Sequence, residues 1–340
     1  MNKKRLLSMS LAVLMMALVL TACGGSNNAG NDGGETTASK DESYISIATG
    51  GTGGTYYPLG GAMATVLNNA DIGVQANAQS TGASIENVEL IHNGDAELAF
   101  IQNDVAYYAF KGEEFFDANK QVEGSEATAG VYDDLRGICC VYPEVVHVIV
   151  SNESGIKTVE DLKGKRVAVG APGSSTEVNG RQVVEAYGLT YDDFAKTDYL
   201  SFSESADQIK NGQIDAAFAT TGVPTSSITE LATTYDVSFL PIDAEKLSQY
   251  PYYSPVEIPQ DAYKGMTAPV NTVAVKAMLV VNKSMSDETV YNITKALFEN
   301  LDTIAEAHAR GKDLQLETAL EGMSIDVHPG AQKYFDEQAK

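Results

Sequence analysis

Residues 49–55 read TGGTGGT and run straight into Tyr56 and Tyr57. Glycine lets a backbone approach a ligand closely, and each threonine adds a hydroxyl that donates and accepts. Residues 44–48 before the run alternate and are β-branched, which predicts a strand. Residues 62–67 after it have helical spacing. A strand, a glycine turn and a helix N-terminus aim free backbone N–H groups outward, which is chemistry for holding an anion. Two nucleotide motifs fail here on named residues. A P-loop needs Gly-Lys-Ser/Thr, and no lysine stands between Lys40 and Lys111. A dinucleotide turn needs a glycine three residues after Gly53, where Tyr56 stands.

The elements that must position this turn come in two sets. Residues 91–100 (IHNGDAELAF) recur as residues 209–218 (IKNGQIDAAF) at an offset of 118. Each block reads as a helix end, a glycine turn and a buried strand. Near the same offset, residues 45–55 correspond to residues 167–176, where a strand runs through Pro172-Gly173-Ser174-Ser175-Thr176 into a helix over 177–187. Two α/β lobes of one plan are therefore expected. A chain of 340 residues exceeds the comfortable size of one core. Between the lobes, residues 136–151 (RGICCVYPEVVHVIVS) form the longest β-rich run, and residues 270–282 form a second. Residues 111–134 read as polar surface, 226–234 as a helix, 237–242 as a strand and 247–268 as an irregular excursion. Residues 286–308 read as one long amphipathic helix, with Ser286 and Thr289 as its start. Cys139 and Cys140 adjoin in a strand and point to opposite faces, so no disulfide framework is expected. The four histidines are scattered singly, and no metal spacing is present.

ATGGTGGTYYPLGGAMA resembles the N-terminal signature of the TAXI family, the TRAP-transporter-associated solute receptors of prokaryotes. Residues 136–151 and 270–282 resemble the hinge-crossing strands of such receptors, residues 156–165 (IKTVEDLKGK) a common opening of their second lobe, and His328-Pro329-Gly330-Ala331 the family's ending. The resemblance covers roughly residues 44–335. It implies a type II, two-lobe periplasmic-binding-protein-like α/β fold with hinge strands and a ligand cleft between lobes. Lobe I would span 44–145, completed by 275–340, and lobe II 146–274. The implied function is capture of a small carboxylate-bearing solute, an amino acid such as glutamate or glutamine, a dicarboxylate or a keto acid. The solute would pass to the membrane subunits of a TRAP-type permease. No catalysis and no cofactor are implied.

The N-terminus fits an extracytoplasmic destination. Residues 1–22 carry Lys3, Lys4 and Arg5 and then an apolar run, the plan of a signal peptide. Leu20-Thr21-Ala22-Cys23 resembles a bacterial lipobox, which implies lipid attachment at Cys23 and a membrane anchor. Residues 24–43 are polar and of low complexity, a tether too poor in apolar surface to order itself. The net charge is −23, and −26 without residues 1–22. So acidic a surface argues against nucleic acid as a partner. A monomer is expected.

In open α/β sheets the ligand crevice lies outside the carboxyl ends of the strands. The candidates there are Thr49, Gly50, Gly51, Thr52, Gly53, Gly54 and Thr55, with Tyr56 preferred to Tyr57 as a pocket wall. Ser80 and Thr81 belong to a further turn, and Gln102 and Asp104 to a third. Gly173, Ser174, Ser175 and Thr176, then Thr220, Thr221 and Gly222, are their second-lobe counterparts. Singly, hydroxyls before helices are usually caps; convergence from both lobes is what points to a site. Arg166 and Arg181 fall outside these turns, so an anion would be held mainly by backbone N–H groups and hydroxyls. A rival reading is an enzyme on the same scaffold, a deaminase or lyase. Asp104 and Glu177 are the strong titratable groups available to it, and no Ser-Lys, Ser-His or Cys-His pairing accompanies them. A sensor-input lobe is a third reading.

Overall fold

Alternation puts Ile45 and Ile47 inward and Tyr44 outward in β1 (Ser43–Ala48), the first element of a computed structural model that describes residues 43–119 and 128–340. The expected signal peptide, Cys23 and nearly all of the tether lie outside the described residues. The tether's last residue, Ser43, opens β1. After β1 come α1 (Tyr56–Asn69), β2 (Val74–Gln79), α2 (Ser84–Asn93), β3 (Leu98–Gln102) and α3 (Asn103–Lys111). The long strand β4 (Leu135–Ser151) leads to β5 (Arg166–Ala168), α4 (Ser175–Ala186), β6 (Lys196–Asp198), α5 (Phe202–Lys210), β7 (Ala216–Thr221) and α6 (Ser226–Thr234). Then follow β8 (Val237–Phe239), β9 (Ser254–Ile258), the return strand β10 (Val270–Asn282), α7 (Asp287–Phe298), α8 (Leu301–Ala307) and α9 (Pro329–Gln338).

The strands hydrogen-bond in the order β2-β1-β3-β10-β4-β7-β5-β6. The order is the same from either end: a strand, its parallel first neighbour, a third parallel strand, then a long antiparallel crossing strand. The sequence repeat accounts for this. Gly94 and Gly212, at equivalent places, both take the left-handed conformation (φ 76° and 64°). Each N–H bonds back to the helix it ends, at Ile91 O (3.3 Å) and Ile209 O (3.0 Å). Only glycine adopts such a turn without cost. β3 and β7 then enter the sheet beside β1 and β5.

β4 and β10 join the two lobes. Residues 135–142 of β4 pair with residues 277–282 of β10, while residues 145–150 of β4 pair with β7. The register slips between Ala277 and Met278 and again between Leu279 and Val280, so β4 bulges twice within lobe I, opposite the part of β10 that also pairs with β3. Each lobe has apolar layers on both sheet faces. Cys139 packs with Leu59, Met63 and Phe100, and Cys140 with Ile101, Val105 and Met278. In lobe II, Val146, Val148 and Val150 face Val183 and Phe218, while Val145 and Ile149 face Ile228 and Leu231.

Four expectations need correction. The stretch 286–308 is two helices, because Asn300 leaves helical geometry (φ −131°) and its amide donates to Ala296 O (2.8 Å). Its start is as expected: Ser286 Oγ accepts from Thr289 N (3.1 Å). The excursion at 247–268 contains β9, which pairs with β10. The strand at 237–242 stops at Phe239. Within 111–134, Phe115, Phe116 and Tyr132 are core residues. Among the described residues no helix is long and apolar enough to cross a membrane.

Candidate functional site

Six chain segments meet at the carboxyl ends of the strands and enclose a cavity of ≈ 270 Å³. Lobe I contributes the β1–α1 turn (50–56), the β2–α2 turn (80–83) and two residues of β4, Tyr142 and Glu144. Lobe II contributes Ala171 and residues 174–176 before and in α4, residues 201–203 at the start of α5, and Thr220 and Thr221 at the end of β7. No Lys, Arg or His is among these lining residues. Arg310 bears electrostatically on Tyr142, but its guanidinium is held by Asp313 (3.0 Å).

Four helix N-termini adjoin the cavity, and they differ. That of α2, at Ala83, has no side-chain cap but is met by the other lobe, its Ile85 and Glu86 N–H groups donating to Gly173 O (3.0 and 3.3 Å). Ser174 Oγ accepts from Thr176 N (3.2 Å) and caps α4. Ser201 Oγ accepts from Glu204 N (3.3 Å) and caps α5. At α1 the capping position is Thr55, which makes no side-chain cap; its hydroxyl turns across the cavity to Thr221 Oγ1 (3.2 Å). The first turn of α1 contains no acidic residue, whereas α4 has Glu177 and α5 has Glu204 there. The positive end of α1 is therefore the one that neither a capping side chain nor a first-turn carboxylate of the protein offsets.

Glu144 forms another part of the wall. It is fully buried. Gln102 Nε2 donates to its Oε2 (2.7 Å), and its Oε1 has no hydrogen-bond partner. Burial pushes its carboxyl up to about 7, against the Tyr56, Gln102 and Tyr142 side chains, which favour the ionised form. Tyr56 stands close but not in hydrogen-bonding geometry, since its Oη is also without a partner. The Tyr56 ring is held by stacking on Phe100 (4.9 Å between centroids) and by the edge of Tyr142 (6.3 Å). Thr220 Oγ1, on the opposite side, is a third buried polar atom with no partner.

The lobes touch around the cavity, so this is a closed form. Gly53 O accepts from Ser227 N (3.3 Å) and Thr225 Oγ1 (3.3 Å). Gly173 O accepts from Ile85 N (3.0 Å). Ser175 Oγ lies 3.1 Å from Ser84 Oγ, and Asn179 Nδ2 donates to Asp104 Oδ2 (3.0 Å). A Cβ on Gly53 would sit 2.5 Å from Ser203 Oγ, and one on Gly82 2.7 Å from Pro172 O. Both glycines allow backbones of opposite lobes to meet.

Of the residues expected at the site, Gly50, Gly51, Thr52, Gly53, Gly54, Thr55, Tyr56, Ser80, Thr81, Ser174, Ser175, Thr176, Thr220 and Thr221 line the cavity. Five do not. Thr49 is buried beneath the turn, its hydroxyl donating to Gln79 O (2.6 Å). Gln102 sits behind Glu144. Asp104 is in the first turn of α3 and joins the lobes through Asn179, burial raising its pKa to about 6. Gly173 is a lobe contact, and Gly222 abuts Thr55 and Arg310. Arg166 is bound to Asp215 (2.6 Å), and Arg181 to Glu114 (3.2 Å) with Glu177 at 3.6 Å. Gly82 and Ala83 line the cavity from the same expected turn as Ser80 and Thr81, whereas Tyr142, Glu144, Ala171, Ser201, Phe202 and Ser203 line it without having been anticipated as site residues. The repeat offset of 118 carries Ala83 onto Ser201 and would have found that turn. Glu144 is the one carboxylate in the strand 136–151, itself a mark of function in a run that should be buried.

The profile of the NMT1-like family matches residues 47–339. The chain belongs to that family. Its fold is the two-lobe α/β fold of periplasmic binding proteins. Among solved structures, this NMT1-like protein is similar to a protein of Bordetella bronchiseptica RB50 (16% identity, TM-score 0.54, covering 88% of this chain and 99% of that one). It is also similar to the periplasmic aliphatic sulphonate binding protein SsuA from Escherichia coli (17%, TM-score 0.45, 86% and 83%). A third is a binding protein component of an ABC phosphonate transporter from Pseudomonas aeruginosa (14%, TM-score 0.47, 79% and 79%).

Proposed function

We propose that this protein is an extracytoplasmic receptor that closes over one small solute and delivers it to a membrane permease, without chemistry. The observation that carries this is the cavity of ≈ 270 Å³, walled by strand-end turns of both lobes and joined by lobe contacts on its rim. Its volume lies near the lower limit of ligand pockets, roughly 300–1,000 Å³, which suits a small metabolite. An anionic group of the solute, a carboxylate, is held by the uncapped first turn of α1 and the surrounding hydroxyls, without an arginine. The TAXI signature in residues 48–64 favours a TRAP-type permease as the acceptor, and Leu20–Cys23 favours a lipid anchor. Enzyme chemistry is disfavoured because the lining offers serines and threonines with no basic side chain beside them.

The test is native mass spectrometry of the purified protein, followed by melting curves with amino acids, keto acids and dicarboxylates. At a hundredfold excess over Kd, binding to the folded state adds about 2.7 kcal/mol. That is a melting shift on the order of 5–10 °C for a domain of this size. At least one small carboxylate should produce it, unchanged in mass after incubation. Turnover of the solute, or no shift with any of them, would defeat the reading. A fatty-acid probe should label the wild type and not Cys23→Ala.

A further inference from the structure

Resting on that reading, we infer that Phe202 sets the far end of the solute: the site takes a molecule with one carboxylate, held at α1, and an uncharged apolar arm that ends against the Phe202 ring. Phe202 is the first residue of α5 and lines the cavity. Its Cε2 lies 3.6 Å from where a Cβ on Gly54 would stand, so the ring faces the β1–α1 turn of the other lobe. The anion subsite and the ring are therefore neighbours, which suits a short arm.

The same residue belongs to the core of lobe II. It packs against the apolar layer that holds Ile209, Ile228 and Leu231. Ser205, Ala206 and Ile209 share its face of α5, and with Phe202 they line a second hollow of ≈ 10 Å³. Phe202 is the residue common to the walls of the cavity and of this hollow, so its ring is the partition between solute and core. A second carboxylate at this end would meet no counter-charge. No Lys, Arg or His lines the cavity. The positive end of α5 is already offset by Glu204, whose Oε2 accepts from Ser201 N (2.9 Å) and Ser201 Oγ (2.7 Å). The rest of the lobe II wall is Ala171 and the serines and threonines. A charge is desolvated there without compensation, whereas a methyl group gains by burial against the ring.

The experiment is calorimetric titration with pairs that differ only at the far end: 2-oxopentanoate against 2-oxoglutarate, butanoate against succinate, norvaline against glutamate. In at least one pair the methyl-ended member should bind about tenfold or more tightly than its carboxylate-ended twin. Lengthening the arm should gain up to about fourfold per methylene until the ring is met, and lose affinity beyond it. Phe202→Ala joins the hollow to the cavity, so the best arm should become longer by about one to three carbon atoms. Phe202→Leu should move the optimum by less. If the dicarboxylates bind as tightly as their methyl-ended twins, or if Phe202→Ala and the wild type prefer the same arm length, the inference is overturned while the receptor reading stands. If no member of any pair binds, both fail. Should Phe202→Ala not fold, Phe202→Leu and the wild-type preference decide the matter.

Discussion

The β1–α1 turn and the β5–α4 turn occupy equivalent places in the two lobes, yet they are finished differently. Both follow a strand that pairs in parallel with two neighbours, and both lead into a helix that abuts the cavity. In lobe II the helix end is complete in itself: Ser174 caps it, and Glu177 in its first turn is met by Arg181. In lobe I the helix end is open: Thr55 faces Thr221, and no acidic residue follows. One helix end is completed by the protein's own groups; the other is left open, which is where the proposed receptor would hold its solute. Hydroxyls alone would not reveal this, because Ser174 and Thr55 look alike in a sequence; the difference is which way each points.

The largest effect tests the contact that brings the two turns together. Gly53→Val puts a side chain into Ser203 and Ser227 of lobe II, so the lobes should not close. The solute-induced melting shift of about 5–10 °C should vanish, with the ligand-free melting temperature nearly unchanged because Gly53 lies at the rim. An unchanged shift in Gly53→Val would mean that closure is not required for binding.

Next is the pH dependence of the ligand-free protein. Glu144 rises to about 7 and Asp104 to about 6 in the folded state, both by burial. A raised carboxyl binds more protons folded than unfolded, so its stability contribution is complete below about pH 4 and is lost as pH rises through the folded value. His147 is depressed to about 4 by burial, which has the opposite slope below about pH 6.5. Comparing wild type with Glu144→Gln cancels His147 and leaves from Asp104 only its charge coupling to Glu144. The variant should gain on the wild type between pH 5 and 8, by about 1–3 kcal/mol in urea melts. A parallel pH profile for both proteins would show that Glu144 does not titrate in this window.

These contrasts mark what a sequence can disclose. The strand, glycine turn and helix at 43–69 were legible because local composition dictates them, and β10 spans residues 270–282 as expected. The repeat around Gly94 and Gly212 disclosed the two-lobe order because left-handed turns demand glycine. Asp104 was misplaced for a physical reason: alternation ends at Gln102, and α3 turns the next carboxylate toward Asn179. The Ser201 turn escaped because β6 is only three residues long and leaves no periodic trace. Asn300 breaks a helix with no glycine or proline to announce it.

The smallest effects distinguish the two hydroxyls directly. Ser174→Ala removes a cap from α4, since its Oγ accepts from Thr176 N; the usual cost is about 1 kcal/mol of stability. The backbone N–H it leaves adjoins the cavity, so solute affinity should change by less than about threefold. Thr55→Ala removes no cap, and the ligand-free protein should melt within about 0.5 kcal/mol of the wild type. Its hydroxyl instead joins Thr221 across the closed cavity (3.2 Å), a neutral hydrogen bond worth about 0.5–1.5 kcal/mol. That contact exists when the lobes meet, so the loss should appear in affinity, about two- to tenfold, and in faster solute release. Chemical melts of the ligand-free variants beside calorimetric titrations separate the two quantities. If Ser174→Ala weakens binding and Thr55→Ala weakens folding, the assignment of the closed end to lobe II and the open end to lobe I is reversed.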